Sequence, residues 1–278
     1  MALAYLNAGA VSFAAANWSD ATGFADNATL VAKLTGQNVS SDLDYSGLTT
    51  GINRLLFPVG SNGSVGTSAQ GALKVDIDDS TGAWDSANST RSRLEVFANS
   101  GQFYIAAAGA SAVISNTFID TGGAFFFAGG TFTAAKVTRG TFSVSETTTL
   151  GTLGVWSPAS GTIEAKTSGL TTLNMFGGLG QNQVVCRRAG TTINLYGGTL
   201  RYAALSGTTT TVNIYGGTFI HEAGAITTVN GYAGAYIARL ERAATIGTFN
   251  RELPLAFTGD DPLLTITTSV ALNPKIDL

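Results

Sequence analysis

Asn174-Met-Phe-Gly-Gly-Leu, Asn194-Leu-Tyr-Gly-Gly-Thr-Leu and Asn213-Ile-Tyr-Gly-Gly-Thr-Phe are one phrase written three times, and the phrase decides the fold. The asparagines stand 20 and 19 residues apart. Shorter echoes occur at Gly129-Gly-Thr-Phe, Gly140-Thr-Phe, Gly161-Thr-Ile and Gly247-Thr-Phe. Within the phrase, Ile193 and Leu195, and then Val212 and Ile214, alternate with polar asparagine, the two-residue period of a strand with one buried face. A period of about 20 residues suits one turn of a solenoid, whereas a propeller blade needs about 40–45. A sandwich also has short strands and glycine turns, but it has no reason to repeat one phrase at a nearly constant interval. The expected fold is therefore all-β: a parallel β-helix whose turns stack about 4.8 Å apart, with Gly-Gly at the corner.

Composition agrees. Hydrophobic residues make up 44% of the 278 positions, enough for a sizeable core, and there are 35 glycines. Charged residues make up only 12%, about half the usual ~25%. Net charge is −3, which argues against a basic nucleic-acid surface. Arg91 with Arg93, and Arg187 with Arg188, read as solvated strand edges. No apolar run reaches the ~18 residues of a membrane helix, and no positively charged leader precedes Lys33. No nucleic acid, membrane or cofactor is expected as a partner.

Three segments follow. Residues 51–250 form the β-helix body. Residues 1–50, which are loop-rich, read as an extended arm or a cap, because an open solenoid end exposes unpaired backbone and an apolar column. Residues 251–278, with Pro254, Pro262 and Pro274, read as a C-terminal cap or a further strand.

Residues suited to chemistry are sparse, and no catalytic or metal-binding residue is expected. Cys186 lacks a second cysteine and reads as a small buried hydrophobe. Asp76, Asp78 and Asp79 lack EF-hand spacing and read as a strand end running into a turn, and Asp260-Asp261-Pro262 as a turn opener. The single histidine, His221, has no nucleophile phrase beside it and reads as a surface residue. Phe125, Phe126 and Phe127 are consecutive, so at least one points outward. If each repeat is a turn, Tyr196 lies above Tyr215, either as a ladder for a sugar or a partner or as an internal stack at a corner.

Three stretches resemble bacteriophage virion structural proteins. They are Asn17-Trp-Ser-Asp-Ala-Thr-Gly-Phe-Ala-Asp-Asn-Ala-Thr, the glycine-rich Gly60-Ser-Asn-Gly-Ser-Val-Gly-Thr-Ser-Ala-Gln-Gly-Ala-Leu-Lys-Val, and the uncharged Gly/Thr repeat. The resemblance implies a β-helical body, a homotrimer and attachment to a virion. The expectation is a non-enzymatic capsid cement or decoration protein. It would bridge subunits of a phage major capsid protein, assemble in the host cytoplasm and lie on the capsid surface. Trp18 and Phe24 are the candidate docking residues. The alternative is a tail-spike or fibre protein that binds or cleaves host surface polysaccharide.

Overall fold

A computed structural model of the chain describes residues 3–10, 12–13, 17–19, 29–39, 43–44, 54–66, 73–76, 93–108, 113–166, 169–177, 183–252 and 254–272. It is the expected all-β solenoid of parallel strands, with no α-helix among the described residues. The chain divides into two compact units, Met1–Gly151 and Thr152–Leu278.

In the first unit, Leu3–Tyr5 pairs with Thr29–Val31 and that strand with Arg54–Phe57. Arg54–Phe57 in turn pairs with Arg93–Val96, and Arg93–Val96 with residues 116–119 of the long strand Val113–Val144. All four pairings are parallel, so equivalent residues stack. Ala4, Leu30, Leu55, Leu94 and Thr117 form one buried column, each no more than 8% exposed. Phe57, Val96 and Ile119 form a second, and Phe103 on Phe125 with Ile105 on Phe127 continue the interior. Of the three consecutive phenylalanines, Phe126 is the outward one, and it stacks on Tyr104 at 4.0 Å.

Within residues 1–50, the described strands Leu3–Tyr5, Thr29–Val31 and Asn38–Val39 pair in parallel with successive strands of the coil. Leu6 and Trp18 form an antiparallel bridge, and the Trp18 ring stacks on Phe13 at 5.8 Å beside Phe57. At the other end of the chain, Ala256–Thr258 and Leu264–Leu272 pair with Ala235–Ala238 and Ala244–Glu252, adding one more turn.

In the second unit the written repeat is the rung. Leu173, Ile193, Val212, Val229 and Phe249 stack in register, as do Val184, Leu200, Phe219 and Tyr236, all essentially buried. The Gly-Gly corner follows from close stacking of corners. A Cβ on Gly197 would lie 1.8 Å from the Gly177 carbonyl oxygen, and Gly217 has φ +74° with the Gly198 oxygen 2.5 Å from the same imagined atom. Only glycine fits both restrictions.

Thr117 is the polar member of an otherwise aliphatic column, and its buried hydroxyl has no hydrogen-bond partner. An unpaired buried hydroxyl costs about 1–3 kcal/mol. Thr117→Val, which keeps the shape and the β-branch, is expected to raise stability by about 1 kcal/mol in equilibrium denaturant unfolding.

Candidate functional site

Outward positions of the second unit form ladders of their own. Threonines 172, 192, 211, 228 and 248 stack in register, beside asparagines 174, 194, 213, 230 and 250. Each asparagine Nδ2 donates to the Oδ1 of the asparagine one rung back, at 2.8 Å in all four steps. An amide can do this indefinitely, because it carries a donor and an acceptor in one group.

Beside the asparagines run Trp156, Phe176, Tyr196, Tyr215 and Tyr232. The Trp156 and Phe176 rings lie 4.5 Å apart, and each later step is 4.9 Å with interplanar angles of 3° to 8°. Tyr196 and Tyr215 are 46% and 43% exposed, so the stack is on the outer wall. Its rings cover one another's faces. A sugar stacks on an aromatic face, and within this ladder the faces are taken. What the ladder shows to solvent is ring edges and a row of phenol groups. Burial against the stack, with Tyr232 and Tyr196 on either side, raises the Tyr215 pKa, so the hydroxyl stays neutral at physiological pH.

Four ion pairs join residues of neighbouring turns. Arg54 pairs with Glu95, Arg139 with Asp120, Arg187 with Glu164, and Arg201 with Glu222. No group of three or more His, Cys, Asp or Glu gathers around a possible metal position among the described residues. Asp261 is the expected turn opener: its carboxylate accepts from the Leu263 and Leu240 backbone N–H groups. Asp78 and Asp79 lie outside the described residues, as does Phe24. Trp18 is 1% exposed, with its indole N–H donating to the Phe13 carbonyl at 3.2 Å, so its ring faces the interior and not a partner.

Two polar residues, Arg188 and His221, lie where sequence reasoning did not put them, while Cys186 is buried as expected. Arg188 is buried rather than at a solvated edge, its Nε donating to the Glu164 carbonyl at 3.2 Å. The buried Cys186 thiol beside it donates to the Arg188 carbonyl, and burial pushes its pKa up to about 11, which keeps it protonated and unreactive. His221, expected on the surface, is fully buried among Tyr202, Phe219 and Tyr236. Its Nε2 faces the Gly224 carbonyl at 2.8 Å, and a carbonyl only accepts, so Nε2 carries the proton. Nδ1 then accepts from the Tyr236 hydroxyl at 2.7 Å. The imidazole is a satisfied neutral group in the core, and no substrate can reach it there. Tyr202 and His221 follow the Gly-Gly corners at the same offset, after Gly198 and Gly217, and they stack in register with the buried Cys186 on one inward column; that shared offset was the signal in the sequence.

Comparison with protein-family models, with curated proteins and with solved structures finds no match. The chain is characterised by its own geometry: ladders on the wall, paired charges and a sealed interior.

Two outcomes follow. Asn213→Ala removes a donor from Asn194 and an acceptor from Asn230, so it is expected to cost about 1–2 kcal/mol in denaturant unfolding, while Asn250→Ala, which breaks one bond of the ladder, costs less. Burial holds the His221 pKa below 6.5, so its stabilising contribution is complete above pH 6.5 and is lost as pH falls through the depressed folded value. Thermal unfolding followed from pH 7.5 down to 5 is expected to show falling stability, with a flatter profile for His221→Gln.

Proposed function

We propose that the chain is a non-enzymatic structural protein of a bacteriophage virion, a homotrimeric capsid cement or decoration protein that bridges major capsid subunits. The observation that supports this most is how the wall uses its polar groups. Asparagine amides bond to asparagine amides, aromatic faces cover aromatic faces, and four carboxylates are tied to arginines of neighbouring turns. A catalytic groove for polysaccharide calls for carboxylates that converge on a substrate, about 5–10 Å apart and free to act. These four are dispersed and engaged.

A wall with few charged residues suits a dry, shape-complementary contact better than an electrostatic one. Its mechanism is mechanical. A standard interface buries about 1,600 Å² in total, and a protein that spans neighbouring capsid subunits adds such contacts at each junction, opposing the outward pressure of packaged DNA. Since Trp18 faces inward, the docking side chains near the N-terminus are Leu3, Tyr5 and Val59, which are 51%, 52% and 73% exposed.

Electron microscopy of purified particles with and without the protein tests this. The expected result is added density at local three-fold positions of the capsid, lost in the double variant Tyr5→Lys, Val59→Lys. Density confined to the tail would favour the fibre reading, and particles without any such density would overturn both.

A further inference from the structure

A cavity of about 270 Å³ opens on the second unit, where the regular ladder lapses. Three successive turns build it: Ala204 to Gly207, Ala223 to Ala225, and Arg242 with Ala243. Across the first two turns Ala203 pairs with Ala223 and Thr208 with Ala225, so residues 204–207 stand against the single Gly224. Leu205, Ser206 and Gly207 are exposed. Gly224 has φ +99°, and a Cβ there would lie 2.8 Å from the Ala204 carbonyl oxygen. No side chain therefore fills the space between these two turns.

The cavity is mainly polar, yet seven of its nine lining residues are Ala, Gly or Leu. Its polar surface is therefore main-chain amide, the Ser206 hydroxyl and the Arg242 guanidinium. Residues 204–207 carry main-chain N–H and C=O groups that no residue of the next turn takes in register. Charge is one-sided. No Asp or Glu is among the lining residues. Glu222, beside Ala223, is held by Arg201 at 2.7 Å. Glu241, beside Arg242, is exposed, and its field acts on Arg201. Arg242 is exposed and stands in no ion pair among the described residues.

We propose that this cavity binds the phosphate monoester of a small polyol. The phosphate meets Arg242 and the Ser206 hydroxyl, and the polyol hydroxyls meet main-chain groups of the lapsed rung. Arginine presents a planar fork of donors that suits a phosphate. A hydroxyl both donates and accepts, so it can use a main-chain N–H or a C=O. The volume lies just under the ~300–1,000 Å³ of drug-sized sites, so the occupant is small. A bare phosphate leaves the main-chain walls unanswered, and an aromatic acid finds little apolar wall to lie on. Such a site is independent of a role on a virion.

The test is a titration of the full chain followed by backbone amide NMR, with three probes. They are glycerol 3-phosphate, glycerol (the same body without the charge) and inorganic phosphate (the charge without the body). The expected result is saturable binding of glycerol 3-phosphate with a dissociation constant on the order of 1 mM or tighter, with shifts centred on Ser206, Gly207, Gly224 and Arg242. Glycerol and inorganic phosphate each bind at least about tenfold more weakly. Arg242→Gln weakens glycerol 3-phosphate about tenfold and Ser206→Ala about threefold, with the amide spectrum otherwise preserved, since both positions are exposed. Arg239→Gln, at an exposed position outside the cavity, leaves the affinity unchanged. Absence of saturable shifts overturns the proposal. So does equal binding of glycerol, equal or tighter binding of inorganic phosphate, or unchanged affinity in Arg242→Gln. An equal loss in Arg239→Gln overturns it too, because it marks a general attraction of anions to exposed arginines.

Discussion

Parallel, in-register stacking of strands is the constraint on which everything else in this molecule depends. Each rung satisfies its backbone N–H and C=O groups on the rungs before and after it, and register then places like positions on one another about 4.8 Å apart. Every column must be made of side chains that tolerate a copy of themselves. Aliphatic groups do, and they fill the inside. Asparagine does, by bonding amide to amide. Aromatic rings do, by stacking. Like charges repel at this distance, and where Arg54 and Arg93 meet in register, Arg54 turns to Glu95. A low charge content suits such a coil, and four Arg–Glu or Arg–Asp pairs tie charges of successive turns together.

The interior obeys the same logic with a stricter penalty. Polar groups inside the second unit are each met. The Tyr202 hydroxyl lies 2.7 Å from the Thr209 hydroxyl, which accepts from the Gly190 N–H, and His221 sits between Tyr236 and the Gly224 carbonyl. Among the described residues of the first unit, the Thr117 hydroxyl and the Gln37 Nε2 are exceptions, and Thr117 is the one in an aliphatic column. It occupies a column position that its neighbours fill with leucine.

Both units stack aromatic rings, Tyr104 on Phe126 in the first, but the first also holds a tilted pair. In the second, parallel rings close their faces to solvent and add stiffness to the wall. In the first, the tilted Phe97 and Phe118 line a concave, mainly apolar surface. A wall made of self-satisfied ladders has little affinity for anything except by shape.

The repeat over residues 174–219 made the coil legible, because three rungs carry the same residues at the same offsets. The first unit was harder to read. Leu55 stacks on Leu94 across a long intervening segment, so no constant interval marks its rungs. The period, the Gly-Gly corners, the stacking of Tyr196 on Tyr215 and the neutral character of the wall were all written in the chain. Alternation along a strand tells which residues share a side; it does not tell which side becomes the inside when the coil closes, nor what a loop side chain meets there. That is why Trp18 turned out to fill the interior, why Arg188 and His221 are buried, and why Ser206, Gly224 and Arg242, on three successive turns, line one cavity. Local periodicity acts between neighbours along the chain, whereas enclosure depends on contacts across turns, and those exist only once the turns have stacked.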